Sequence, residues 1–158
     1  MAHVTINQFQ NRQYGGVSPF GNLTSYAFPL QTGGNGGALD ANFAGPLGAG
    51  FVVDLGQLPE GMRLEDASVL VSVGMSPGIT GMLGFRYEDR VDDRAVPQDA
   101  AYFASAIDLT NPGRKRATGA KLVTLPKPAR LILTIQGRGN SKASDIKVLV
   151  TGELTGNR

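Results

Sequence analysis

A jelly-roll-like, all-β sandwich is the fold this sequence predicts, and three observations predict it. About seven short β-rich runs are separated by turns at intervals of roughly 8–15 residues. No segment sustains apolar residues at the 3.6-residue spacing of a helix. Glycine (22) and proline (9) punctuate a chain of 158 residues throughout.

At the start, Val4 and Ile6 alternate with Thr5 and Asn7 ahead of Phe9, which reads as a short strand. From Tyr14 to Gly50 the breakers come too often for regular structure: Gly15-Gly16, Ser18-Pro19, Phe28-Pro29, Gly33 to Gly37 and Gly45-Pro46. Phe51 to Leu55 is a short strand stopped at Gly56, and Leu58-Pro59-Glu60-Gly61 is a turn. Ala67 to Val73 is the clearest strand, with Val69, Val71 and Val73 on one face. Ser76-Pro77-Gly78 turns it, and Met82 to Tyr87 runs back. After the polar stretch Glu88 to Gln98, Ala101 to Leu109 suits a strand or a short helix, limited by Asn111-Pro112-Gly113. Three more strands follow, Ala120 to Leu125, Ala129 to Gln136 and Asp145 to Leu154. Gly137-Arg138-Gly139-Asn140 links the last two as a hairpin.

Charge divides the chain in two. Lys and Arg number 15 and Asp and Glu 13, yet only Arg12 and Asp40 fall within the first 49 residues. Those residues carry instead the aromatics Phe9, Tyr14, Phe20, Tyr26, Phe28 and Phe43. A disordered tail stays in solution through high charge and few aromatics. This segment has the opposite composition, so it is expected to lie against protein. A structureless stretch of that length is also improbable inside a compact domain. The expected organisation is an extended arm over residues 1–49 and a β-sandwich over residues 50–158. Removing residues 2–45 is then expected to leave a folded domain.

Composition narrows the function classes. The net charge of +2 is too slight to argue for nucleic acid. There is no cysteine, hence no disulfide and no thiolate site. The N-terminus has neither the basic start nor the apolar core of a secretory signal, and no run is long and apolar enough for a membrane helix. Neither nucleic acid nor membrane is an expected partner, and synthesis in the cytoplasm is expected. His3 is the single histidine, so a nucleophile–base pair has only one candidate base and zinc lacks its preferred ligands. No cofactor, metal or catalytic residue is assigned.

Two charged clusters remain. Glu88-Asp89-Arg90-Val91-Asp92-Asp93-Arg94 interleaves cations among its carboxylates and lacks the glycine of a calcium loop, so it reads as a solvated loop with internal ion pairs. Arg114-Lys115-Arg116 suits a solvated loop, a contact to an acidic protein partner, or phosphates. No aromatic lies nearby to stack bases.

Val52-Val53-Asp54-Leu55-Gly56-Gln57-Leu58-Pro59-Glu60-Gly61, then the valine strand, then Tyr102-Phe103-Ala104-Ser105-Ala106-Ile107-Asp108-Leu109 and Leu125 to Thr134, carry a resemblance. In that order, over about residues 51–151, the chain resembles the small β-sandwich head decoration (cement) proteins of tailed bacteriophages. The resemblance implies a non-enzymatic virion protein on the outer capsid surface. It implies the major capsid protein and further copies of itself, as a homodimer or homotrimer, as partners, with adjacent capsomers clamped by extended arms. Val4, Ile6, Phe9, Tyr14, Phe20, Tyr26, Phe28 and Phe43 would then be partner-binding, the aromatics as anchors, together with Arg114, Lys115 and Arg116. A tail, neck or head-fibre component and a carbohydrate-binding sandwich are the competing readings.

Overall fold

Ten strands carry the chain in a computed structural model that describes residues 2–7 and 23–155. They are β1 (His3–Thr5), β2 (Leu23–Thr32), β3 (Val52–Leu58), β4 (Met62–Val73), β5 (Thr80–Tyr87), β6 (Asp99–Asp108), β7 (Gly113–Arg116), β8 (Val123–Thr124), β9 (Ala129–Gln136) and β10 (Ser144–Leu154). One sheet has the order β1-β3-β9-β5-β6 and the other β2-β10-β4-β7, with β8 beside β4. Leaving out the short β1 and β8, eight strands form two four-stranded sheets. The chain crosses from sheet to sheet at every connection except the β5–β6 hairpin. That is the winding of a jelly roll. Ala101 to Leu109, open to either reading, lies largely in a strand.

The core is the set of residues that alternation points inward. Leu131, Leu133 and Ile135 of β9 are fully buried opposite Ile146, Val148 and Val150 of β10 in the facing sheet. Tyr102 stacks edge to face with Phe85 and with Phe103 (ring centroids 5.4 and 4.8 Å), filling the volume between the sheets.

The expected hairpin is a crossover. Gly137–Asn140 joins β9 to β10, but these strands belong to different sheets, and so do β4 and β5. Local turn chemistry marks where a chain reverses, not which sheet it joins. Val73 is about half exposed although Val69 and Val71 are buried, because a register shift against β10 turns it outward.

The largest correction concerns the arm. Residues 23–32 form a strand paired along its whole length with β10, and they bury Tyr26, Phe28 and Leu30 in the chain's own core. Val4 and Ile6 are equally buried. The connection after β2 is held too, by the Thr32–Ala38 and Gly37–Pro46 bridges and by buried Leu47. Taking away residues 2–45 therefore removes two strands rather than a detachable arm. Pro29 misleads the sequence reading. It occupies a strand that pairs with only one other named strand, the position where proline is tolerated.

One buried polar knot ties three connections together. The two side-chain N–H groups of Asn140, 1% exposed, are shared among Thr32 Oγ1 (3.1 Å) and the carbonyls of Gly36 (3.3 Å) and Lys142 (2.9 Å). The Asn140 side-chain oxygen accepts from the Ser76 N–H (3.0 Å) and hydroxyl (3.2 Å). Burying an amide costs little only when its bonds are made, as they are here. Gly36 comes so close to the Asn140 backbone, with φ of 80°, that no side chain fits.

Phe28→Ala is expected to destabilise the isolated chain by about 3–5 kcal/mol in urea denaturation, as a core truncation does. An anchor that met only a partner would leave that curve unmoved. A methyl at Gly74 would lie 1.7 Å from the Thr110 carbonyl oxygen, whereas nothing lies within 4 Å of one at Gly34. Gly74→Ala should lower the melting temperature with a cost of about 1–3 kcal/mol or more, and Gly34→Ala should stay within about 0.5 kcal/mol of wild type.

Candidate assembly site

β1 lies in a slot. On one side it runs parallel to β3, in the register His3–Val52, Val4–Val53, Thr5–Asp54. The connection after β2 closes the other side. There Asn42 N–H donates to the Thr5 carbonyl (3.2 Å), Thr5 N–H to Asn42 Oδ1 (2.9 Å) and Asn7 N–H to the Asp40 carbonyl (2.9 Å). Ile6 bridges to Ala41 and donates to the Asp54 carbonyl (3.0 Å). Val4 and Ile6 drop into the core at 0% and 3% exposure, while His3 stays outside.

The outward face beside the slot holds the densest electrostatics. Asp54 of β3 and Arg130 of β9 are both buried, and Arg130 Nε donates to the two carboxylate oxygens at 3.0 and 3.1 Å. Arg86 of β5 stands 3.8 Å from Asp54 and lays its guanidinium against the His3 ring, 2.6 Å from Nε2 and 3.2 Å from Nδ1. A guanidinium only donates and neutral imidazole offers one lone pair, so one of those two contacts is a hydrogen bond. Burial pushes the Asp54 carboxyl above its ordinary value despite the opposing pull of Arg130 and Arg86. The histidine moves downward, by burial first and then by Arg86 and Arg90, against a smaller upward pull from Asp54.

The remaining expected site residues divide clearly. Phe9, Tyr14 and Phe20 lie outside the described residues. Tyr26 and Phe28 point into the core, as given above, and Phe43 is half-buried with its ring edge-on to Phe51 at 5.7 Å. Arg114, Lys115 and Arg116 form β7, the outermost strand of the second sheet on that side, rather than a loop. Arg114 and Arg116 are exposed; Arg116 pairs with Asp66 at 2.9 Å and Lys115 reaches the Asn111 carbonyl. Lysine and arginine on an edge strand also discourage unwanted sheet pairing.

In the acidic loop, Asp89 pairs with Lys127 at 2.7 Å, from outside the loop, and Asp92 and Asp93 accept from backbone N–H groups of the loop itself. That is a solvated loop, although its pairing differs from the expected internal one. Among the described residues no group of three or more His, Cys, Asp or Glu is placed to hold a metal. The described aromatic rings are buried, or half-buried in the case of Phe43 and Phe51, so they offer no open platform for a sugar. A groove of about 540 Å³ lies between Glu60-Gly61, Ala95-Val96 and Leu122 to Pro126. Its polar side chains are Glu60, Thr124 and Thr155.

No protein-family model matches the chain, and no curated protein matches it in sequence. Solved structures do match. The chain superposes over 99% of its length on 100% of a chain from the capsid of Ralstonia phage GP4, with a TM-score of 0.66 and 16% identity. It superposes over 92% of its length on 94% of a chain from the capsid asymmetric unit of cyanophage Pam1, with a TM-score of 0.56 and 16% identity. At such identities the likeness is one of fold.

The lowered histidine carries a sign. A group that resists protonation when folded withholds stability as pH falls: the contribution is full above the ordinary value of 6.5 and is lost below it. Amide exchange at Val4 and Ile6 should accelerate between about pH 6.5 and 5 relative to His3→Gln. The raised Asp54 works oppositely, favouring the fold at low pH and withdrawing that support as pH rises through its folded value. Asp54 is present in both proteins, so its burial and its arginine partners are common to the comparison, and only the small pull of His3 on it differs.

Proposed function

We propose that this chain is a non-enzymatic structural protein of a phage virion, carried on the outer surface of the capsid, where it stabilises the shell. The observation that carries the reading is the end-to-end match in fold to a chain of the Ralstonia phage GP4 capsid. The correspondence runs over 99% of this chain and 100% of that one. The Pam1 likeness repeats the correspondence with nearly the same coverage. The fold-level match thus joins the resemblance carried by the Asp-Leu-Gly-Gln-Leu-Pro segment to cement proteins.

On this reading the partners are the major capsid protein and further copies of the chain, as a dimer or trimer, with synthesis in the host cytoplasm. Contact to the shell is assigned to two places. One is the basic strand β7, whose exposed Arg114 and Arg116 suit an acidic partner surface. The other is the nearly uncharged N-terminal segment with Phe9, Tyr14 and Phe20, which would span from one capsomer to the next. Tyr26 and Phe28 drop out of the contact set, since their burial is already used within the chain.

The test is binding to purified expanded heads that lack the protein. Saturable co-sedimentation is expected, with a rise in the temperature at which the heads break. Reversing Arg114, Lys115 and Arg116 to glutamate should weaken binding about tenfold or more at about 0.05 M salt. The difference should shrink near about 0.5 M, where charges separated by several ångströms are screened. Failure to bind heads, with the protein found on tails alone, would reject the decoration role in favour of a tail or neck component.

A further inference from the structure

The geometry points to strand exchange: the slot that holds β1 takes residues 3–7 of a second copy of this chain in place of its own. This inference stands apart from the capsid reading and concerns how copies join.

The slot cannot remain empty at low cost. Without an occupant, β3 would present unpaired backbone groups from Val52 to Asp54, and the sockets filled by Val4 and Ile6 would open into the core. An unpaired strand edge above an apolar opening is a template for another chain. The segment that fits it is specified closely. It needs apolar residues at alternate positions for two closed sockets. It also needs backbone groups for β3 on one side and for residues 40–42 on the other, and an outward side chain against Arg86. Residues 3–7 of any copy meet all of these conditions. Donation of a strand to a sheet edge is a general mode of association, with backbone bonds supplying affinity and alternate side chains supplying register.

Chain length permits the exchange. β1 runs toward the end of the sandwich where β3 finishes at Leu58. The turn there delivers the chain to Met62, whose partner Leu154 adjoins Glu153, the partner of Leu23. β2 lies against β3, so it begins at the end and on the side toward which β1 points. The direct path from Asn7 to Leu23 is one sheet-to-sheet spacing, about 10 Å, plus a few residues along the strand. Residues 8–22 are available to cover it, and 15 residues extended span about 50 Å. The surplus is enough to place the same strand in a neighbouring slot. Where copies are held side by side, a neighbour's β1 competes with the chain's own at comparable effective concentration. An exchanged identical element is a low-cost route to dimers and rings.

The absence of native cysteine makes the test direct. Thr5→Cys and Asn42→Cys are made in separate full-length chains, mixed, incubated and oxidised. Exchange predicts a mixed disulfide, seen as a shift from 16.6 kDa to about twice that mass on a non-reducing gel. The band should exceed that of either variant oxidised alone and grow with protein concentration. A second pair at register partners, His3→Cys with Val52→Cys, repeats the test should either first substitution disturb folding. Double variants carry both cysteines of a pair in one chain, and if both of them close only internal bridges and neither mixture yields a mixed disulfide, strand exchange is refuted. If neither double variant closes any bridge, β1 does not occupy the slot in any copy, and the inference fails equally. Because the gel needs no capsid, its outcome is independent of head binding.

Discussion

Burial between two sheets is the constraint on which the rest of this structure depends. The inner faces of β9 and β10 are apolar at every second residue, and neither can be shielded from water except by the other sheet. Part of the sparsely charged N-terminal third belongs to that interior. Tyr26, Phe28 and Leu30 complete the second sheet, and Val4 and Ile6 close the first. For Tyr26 and Phe28, neutral, aromatic sequence was a sign of burial, and the burial is internal.

A two-sheet sandwich must also finish its edges. β1 and the residue 40–42 connection cover β3. β6 carries two register shifts against β5 and is met on its other side by the N–H groups of Thr118 and Gly119 at the Phe103 carbonyl. β7 ends the second sheet with Arg-Lys-Arg. Each device is a recognised way of discouraging indiscriminate strand pairing. They differ in kind: bulges and charges are built into the edge strands, whereas β1 is a short separate strand lying in a slot.

The buried Asp54–Arg130 pair fixes position, since Arg130 Nε donates to both carboxylate oxygens. The carboxyl is pushed upward although two arginines attend it, so desolvation outweighs attraction, as is common for buried ion pairs. The geometry it imposes is nonetheless specific. It presents Asp54 to Arg86 and Arg86 to His3, which ties the placement of β1 to charges on three neighbouring strands.

The amino-acid sequence by itself determined that this chain is all-β, and it located most of the strands from Phe51 onward. Those strands show alternation and β-branched residues bounded by Gly, Pro and Asn, which are local properties. The alternation of Tyr26, Phe28 and Leu30 was equally visible, but Pro29 counted against a strand until the sheet order showed that β2 has only one named neighbour. Arg114 to Arg116 read as charge without showing that they form an edge strand. What only the tertiary structure decided was partnership: which sheet each strand joins, which face of the N-terminal residues is buried, and that β1 sits between β3 and residues 40–42. Pairing joins residues such as Val4 and Val53 that lie far apart in the chain, and no local periodicity encodes which distant edge a strand will meet.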